Sequence, residues 1–185
     1  FHTMRRGQGV AKMSCVHTVR PAERTGSSAP RAPRIALVSL VIAVLGAAVR
    51  IAVLEVLAAA NGQELWDQLL AWDAEYYVAI ARAGYLDADI AFGGPVYEKT
   101  MAFFPGFPLL LKIVSWTGIN INLAALLINT LLVAVLAAGV MVLARRLGAG
   151  QGGQIAAAIA VTSAPMSIVF SMPYSEALFG ALAVW

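Results

Sequence analysis

Three long apolar stretches constrain the fold of this chain more than any other feature of its sequence. The first runs from Ile35 to Ala60, with Arg50 and Glu55 as its charged residues, and the others lie within the uncharged ranges Ile113–Ala144 and Leu147–Ser175. Each is long enough to cross a hydrocarbon core of about 30 Å. Only 12% of the residues are charged, against about 25% in a typical soluble domain. The sequence therefore predicts an integral membrane protein, an all-α, polytopic transmembrane helical bundle.

The charges that remain are unevenly distributed. Residues 1–34 are rich in Arg, Ser and Pro and hold seven of the 13 Lys and Arg residues, which predicts a disordered basic tail. Because this tail adjoins the first span, it indicates a cytoplasmic N-terminus and not a nucleic-acid-binding patch. Residues 35–185 are then the transmembrane domain, incomplete if the chain is a fragment, as its Phe start and apolar end suggest. A cleaved signal peptide is the alternative, disfavoured because the apolar run is too long.

A polar segment, Trp72–Pro108, separates the first two apolar stretches. Seven of the ten acidic residues lie between Glu64 and Glu98. The periodicity of the apolar residues predicts a short amphipathic helix that Asp73 caps and Gly84 ends, lying on the membrane surface. The charge rule places the whole loop, residues 61–103, outside the membrane on the extracytoplasmic side.

The second half of the chain offers two topologies. Proline at 105 and 108 delays any helix until about Phe107, and we interpret residues 102–119 as re-entrant or interfacial. The second span is then about Ile121–Leu143, the third about Ile155–Phe170, and a fourth begins at residue 177. A full span at 102–119 is disfavoured because it would place Arg145 and Arg146 outside. In the preferred topology Glu176 lies on the same outer face as the 61–103 loop.

Two carboxylates of the loop are candidates for chemistry. Asp73 lies between aromatic residues near the bilayer surface, where a partly buried carboxylate can act as a base, although it could equally serve only as a helix cap. Glu98 could pair with Asp73, position an acceptor hydroxyl or hold a metal. The alternative for Glu98 is an ion pair with Lys99 or Arg82.

Arg50 is a separate candidate because it lies inside the first apolar stretch, roughly 24 Å from its cytoplasmic end at helical rise. A charge at such a depth is costly unless it is paired or faces a polar cavity. It could bind a phosphate of a lipid-linked substrate, since guanidinium matches phosphate geometry. An ion pair with Glu55 or Glu176 is the structural alternative.

Several chemistries have no support in the sequence. It contains no phosphate-binding loop of the Walker type, no G-x-S-x-G motif and no His/Cys cluster, and both histidines, His2 and His17, lie in the tail. Nucleophilic serine chemistry and zinc hydrolysis are therefore not expected. No cofactor is indicated, although a divalent metal held by Asp73 and Glu98 remains possible.

Three motifs, in order along the chain, resemble one known family. They are W-D-x-x-x-Y-x-x-I-A-x-x-G-Y at Trp72–Tyr85, A-F-F-P-x-x-P at Ala102–Pro108, and P-x-S-x-x-F-S-x-x-Y-S-E-A-L-F at Pro165–Phe179. This set resembles the PIG-V-like mannosyltransferases of the GT-C class, in overall look closest to actinobacterial members. The resemblance implies transfer of a mannosyl or other hexosyl residue from a polyprenyl-phosphate-linked donor to a glycolipid or glycan acceptor. It implies a multi-pass plasma-membrane enzyme acting at the extracytoplasmic face among membrane lipids.

The same resemblance assigns roles to residues. Asp73 matches the catalytic acid of the first outer loop, and Glu98 matches a second acid before A-F-F-P, although Lys99 departs from the histidine often found after it. The resemblance and the candidates above together give the expected substrate-binding residues Arg50, Trp72, Tyr76, Arg82, Tyr85, Lys99, Phe104, Tyr174 and Glu176.

A non-catalytic membrane subunit or transporter-like module, whose outer loop binds a partner, is the alternative function. Such a module has no need of Asp73, Glu98 and the Tyr-Ser-Glu patch on one face. The resemblance to GT-C enzymes implies eight or more transmembrane spans, whereas this chain contains about three and a half. Activity of these 185 residues alone is therefore not expected.

Overall fold

The computed structural model describes residues 32–86 and 100–185. All regular structure in these two ranges is helical, as predicted. Residues 1–31 of the predicted tail, and the candidates Glu98 and Lys99, lie outside the described residues. The helices are α1 (Ala32–Ala60), α2 (Leu65–Leu69), α3 (Asp73–Ala83), α4 (Gly106–Ser115), α5 (Ile121–Arg146), α6 (Gln151–Thr162), a 3₁₀ turn (Ser167–Phe170) and α7 (Glu176–Val184).

Helices α1 and α5 form the long frame of the structure. They contain 29 and 26 residues, with a mean hydropathy of 2.6 in each. At 1.5 Å per residue they measure about 44 and 39 Å, which exceeds the hydrocarbon thickness of a bilayer. Much of α1 exposes Leu and Val side chains, a surface suited to lipid. Helix α1 ends at the predicted stop, where the Asn61 side chain donates to the Leu57 carbonyl at 2.7 Å and Gly62 has φ +65°.

Helix α5 is the centre of the bundle and contacts α1, α4, α6 and α7. Small buried residues line these contacts, among them Ala43 on α1, Ala137 on α5 and Ala158 on α6. Small side chains let helix backbones approach closely, which is the usual way that helices associate where burial from water supplies no driving force. Gly139 shows the effect most clearly, since a Cβ there would collide with Val184 of α7.

The third apolar stretch is not one continuous helix, so the continuous helix predicted for Ile155–Phe170 is wrong. Helix α6 contains 12 residues, about 18 Å, which is too short to cross the hydrocarbon core. It ends at Thr162, and a 3₁₀ turn follows from Ser167 to Phe170. Pro165 explains the break, because it lacks an N–H and disfavours helical backbone at the residue before it. In the described ranges, only α1 and α5 are long and apolar enough to span a membrane.

A second core lies beneath α2, α3 and α4 and holds the loop helices to the bundle. Its largest fully buried side chains include Phe107 and Leu111 of α4 and Met172, packed with Tyr77 and Val78 of α3. Helix α4 begins at Gly106, one residue before the prediction, with Pro108 in its first turn where no N–H is required. With 10 residues, about 15 Å, α4 is too short to cross the core on its own.

Candidate functional site

Asp73 is the first residue of α3, and its position differs from the prediction in one respect. The N-cap residue is Trp72, and no side chain caps the helix. The expectation that Asp73 caps α3 is therefore wrong. The chain arrives from α2 through a tight turn in which the Ala74 N–H donates to the Ala71 carbonyl at 3.4 Å. This leaves the Asp73 carboxylate exposed at a helix N-terminus, a place that favours negative charge.

The backbone of Trp72 is strained. Its φ of +56° is the one positive value at a non-glycine residue in the described ranges. A bulky residue in this conformation costs on the order of 1–3 kcal/mol and persists only where the surroundings impose it. Leu69 and Ala74, on either side, are almost fully buried and anchor the turn, while the Trp72 indole is 77% exposed. The fold thus fixes the backbone of the turn from which the Asp73 side chain projects.

Tyr77 is the centre of an aromatic cluster that joins the three sequence motifs. Its ring meets Phe103 edge-on at 5.1 Å and Phe107 edge-on at 5.6 Å, and it lies 6.3 Å from the ring of Tyr174. Tyr76 stacks on the other side of the cluster, 4.9 Å from Phe103. Aromatic pairs of this kind each contribute about 0.5–1.5 kcal/mol beyond their burial. The residues around Asp73 are therefore held against two distant parts of the chain.

Hydrogen bonds tie the same three segments together. The hydroxyls of Tyr77 and Ser175 are 2.8 Å apart, and the Tyr174 hydroxyl donates to the Ala71 carbonyl at 3.4 Å. The Tyr85 hydroxyl donates to the Phe103 carbonyl at 2.9 Å. Residues 171–175, which we name the linking segment, therefore contact both the turn before Asp73 and the helix that Asp73 begins.

The electrostatics place two carboxylates beside these tyrosines. Burial raises the pKa of Tyr77 and of Tyr174, and the negative charges of Asp73 and Glu176 raise both further. Both hydroxyls are consequently protonated at neutral pH and act as hydrogen-bond donors or acceptors, not as bases. Asp73 and Glu176, both exposed, come from distant parts of the sequence and lie near the same pair of rings.

The other predicted residues fall around this centre. Arg82 lies exposed in the last turn of α3, and Phe104 is 70% exposed. Tyr85 borders a cleft of about 200 Å³ that Lys112 of α4 also lines. Lys112 was not among the predicted site residues, although a lone cation in an apolar run is a signal. Ser171 and Ser175 belong to the third motif, but they were assigned no role of their own, because their hydrogen bonds to Arg50 and Tyr77 depend on tertiary contacts.

Arg50 lies in a different environment from the loop residues. It is 7% exposed, its Nε donates to the Ser171 hydroxyl at 2.8 Å, and its Nη1 donates to the Thr162 carbonyl at 3.1 Å. Among the described residues it forms no ion pair with Glu55 or Glu176, so that alternative is wrong. The structure thus joins Arg50 to the first residue of the linking segment, and Tyr77 to the last.

The described residues offer no cluster of metal ligands. In residues 32–86 and 100–185, no three His, Cys, Asp or Glu side chains lie close enough together to hold a metal ion. The suggested pair of Asp73 and Glu98 includes a residue outside these ranges.

Comparison with known proteins gives one match. A family model described as Mannosyltransferase (PIG-V) matches residues 43–185. This range contains all three motifs and every described residue of the candidate site. No curated protein and no solved structure matches the chain.

Proposed function

The chain belongs to the mannosyltransferase (PIG-V) family, and from this premise we propose that it moves a mannosyl residue from a polyprenyl-phosphate donor to a glycolipid or glycan acceptor. Family membership makes the protein a glycosyltransferase and confirms the enzyme hypothesis over the non-catalytic membrane module. Together with the two long apolar helices it makes the chain a membrane protein. The donor, the acceptor and the membrane face belong to the proposal.

The position of the candidate site supports a lipid-linked donor. Asp73 and Glu176 both lie close enough to Tyr77 to raise its pKa, and the exposed aromatic side chains Trp72 and Phe104 are neighbours in sequence of Asp73 and Phe103. Aromatic residues of this kind concentrate at the interface between hydrocarbon and water. A sugar carried on a membrane lipid is presented at that level. We place this interface on the extracytoplasmic side of the plasma membrane, with the N-terminus in the cytoplasm and several spans, because of the basic residues before α1 and at Arg145 and Arg146.

The observation that carries the proposal is the fixed, exposed carboxylate of Asp73. In the proposed step an acceptor hydroxyl attacks the anomeric carbon of the donor and forms the new C–O bond. The bond between that carbon and the lipid phosphate oxygen breaks, and its electron pair leaves with the phosphate. Asp73 takes the proton of the acceptor hydroxyl as general base. Attack opposite the leaving group inverts the configuration at the anomeric carbon.

The remaining residues have supporting roles in this proposal. Glu98 orients the acceptor, and Lys99 and Arg82 offset the charge of the phosphate. Tyr76, Tyr85, Trp72 and Phe104 provide stacking surfaces for the sugar or acceptor. Tyr174 and Glu176 border the same space from the third motif. The supporting evidence is the contact of the three motifs around Tyr77.

Substitution of Asp73→Asn in the full chain tests the proposal. A general base contributes about 10²–10⁴-fold to the rate, so mannosyl transfer from a radiolabelled polyprenyl-phosphate donor should fall by that factor while membrane insertion is retained. Asp67→Asn is the matched control, since Asp67 is also an exposed carboxylate in the first turn of a loop helix. Unchanged transfer in the Asp73 variant would refute the assignment of the base.

A further inference from the structure

Arg50 has an unused hydrogen-bond donor in a buried position. Its Nε and Nη1 are bonded to Ser171 and Thr162, but Nη2 is buried and has no hydrogen-bond partner among the described residues. A buried charged donor without a partner is costly, by more than a neutral group would be. The two bonds made by the guanidinium fix its plane, so the free Nη2 is held in one place. This arrangement is suited to an anionic ligand.

The structure leaves space beside the guanidinium. A groove of about 370 Å³ runs between α1 and α6. Two of the residues that line it, Ser163 and Ser167, carry hydroxyls. A Cβ on Gly46 would lie 3.0 Å from Nη1, so the absence of a side chain there leaves room for the arginine head. The rest of the groove wall is apolar and consists of Ile42, Leu45, Val49 and Ile159.

We propose that this groove binds a lipid phosphate, namely the phosphate and the adjoining isoprenoid units of the polyprenyl phosphate carrier. The phosphate accepts from the guanidinium of Arg50, which borders the groove, and the hydrocarbon lies along the apolar wall of α1. A phosphate is preferred over a neutral headgroup because its oxygens are the partners that guanidinium binds most strongly. An isoprenoid chain is preferred over a sugar because the wall beyond the guanidinium offers few polar partners. This inference rests on the proposed function.

The linking segment connects the Arg50 end of this groove to the helix that carries the proposed base. Ser171 accepts from Arg50, and Ser175 bonds to Tyr77 on the helix that Asp73 begins. Four residue steps of extended chain span at most about 14 Å, so the Cα atoms of Ser171 and Ser175 lie within that distance. In this arrangement Arg50 is a binding residue, while Asp73 carries the chemistry.

The test measures binding of the carrier without any sugar or acceptor, so its outcome is independent of transfer. The full chain is placed in lipid nanodiscs and titrated with a polyprenyl phosphate that carries a photoreactive group in its first isoprene units. Arg50→Met should weaken binding at least about tenfold, since a charge-assisted hydrogen bond is lost. Arg50→Lys should weaken it less, because the charge remains. Arg145→Met, at the far end of α5, is the control and should bind normally.

A second variant tests the same site without replacing Arg50, so that the proposal can be tested even if the Arg50 variants misfold. Gly46→Ala retains the arginine but crowds its head, and it should weaken binding while α1 still inserts. Crosslinks should map to α1 between Ile42 and Val49. Undiminished binding in Arg50→Met, or crosslinks elsewhere, would overturn the proposal, whatever the result with Asp73→Asn.

Two competitors distinguish the sources of the phosphate. Inorganic phosphate at millimolar concentration should not displace the probe, because it lacks the hydrocarbon that the groove wall contacts. Phosphatidylglycerol should compete only weakly. Displacement by inorganic phosphate would overturn the role of the lipid chain, and equal competition by phosphatidylglycerol would overturn the assignment to the carrier.

Discussion

Arg50 and Asp73 are charged residues connected to opposite ends of one short segment, yet the protein holds them in opposite ways. Arg50 is 7% exposed and is bonded to residues 112 and 121 positions away in the sequence. Asp73 is exposed and is positioned by its backbone, through the strained turn at Trp72 and the buried residues that flank it. Arg50 is fixed by the hydrogen bonds of its side chain, and Asp73 is fixed by the conformation of its backbone.

This difference suggests that Arg50 serves in ligand binding and Asp73 in proton transfer. A fixed, desolvated cation can bind a ligand that stays in one orientation, because its hydrogen bonds need not rearrange. A proton acceptor must instead meet different acceptor molecules and release its proton to water, which an exposed carboxylate can do. The linking segment contacts Arg50 at one end, and at the other it contacts α3 and the turn before Asp73. The stability of its two ends can be measured separately.

The largest effect should come from Phe107→Ala, beneath the Asp73 end. Phe107 is fully buried and meets the ring of Tyr77 edge-on. Its truncation should lower the free energy of unfolding by about 3–5 kcal/mol, as for other core phenylalanines. Denaturant titration in detergent micelles, followed by circular dichroism, measures the change. Phe104→Ala is the control, since Phe104 is 70% exposed and its loss should change stability little. Equal losses in both variants would show that the second core does not support α3.

At the Arg50 end, Ser171→Ala should have the next largest effect. It removes the acceptor of the Arg50 Nε and leaves that buried donor without a partner. The cost of such a donor is about 1–3 kcal/mol, measured by the same titration. Ser163→Ala is the matched control, because Ser163 borders the same groove but is exposed. A loss below about 0.5 kcal/mol would mean that water or another group replaces Ser171, and that the guanidinium is not rigidly held.

Local signals predicted much of the region around Asp73. The expected helix ends at Ala83, as α3 does. Its end was predictable because both signals, the apolar period and Gly84 with φ +92°, lie within the helix or next to it in the sequence. The end of α1 at Asn61-Gly62 and the start of α4 near Phe107 follow from similar short-range rules. Apolar length and the charge rule predicted the second span at about Ile121–Leu143, and α5 begins at Ile121 and ends at Arg146.

The region around Arg50 could not be predicted in the same way. Its partners, Ser171 and Thr162, depend on how α1 packs against the segment after α6, which is a tertiary contact with no local pattern. Pro165 is a local signal for the break after Thr162, but the predicted span rested on the apolar length of the stretch. The positive φ of Trp72 also lacked a signal, since no glycine or asparagine marks the position.

Ser175→Ala tests the Asp73 end of the linking segment and should have a smaller effect than Ser171→Ala. It removes the 2.8 Å hydrogen bond to the Tyr77 hydroxyl. That bond is partly exposed and water can replace it, so the expected loss is about 0.5–1.5 kcal/mol. Tyr77→Phe should give a similar loss, and the double variant should lose little more than either single one. Additive losses would indicate that the two hydroxyls are not coupled. A loss larger than that of Ser171→Ala would reverse the comparison between the two ends.

The smallest effect concerns alkaline pH and again separates the two ends. Burial raises the pKa of Tyr77 and Tyr174 above the ordinary value of 10.0, and the charges of Asp73 and Glu176 raise it further. Because the folded state then holds these protons more tightly than the unfolded state, their contribution to stability is complete below the unfolded pKa and is lost as pH rises through the folded pKa.

The free energy of unfolding should therefore show no tyrosine-dependent change between pH 7 and about 9, and should fall above about pH 10. The double variant Tyr77→Phe/Tyr174→Phe should flatten this fall, as measured by denaturant titration at each pH. Ser171→Ala, at the Arg50 end, should lower the whole curve without changing its alkaline slope. If the double variant kept the slope, the alkaline loss would arise from other groups, and the raised pKa values would not report on contact between the linking segment and α3.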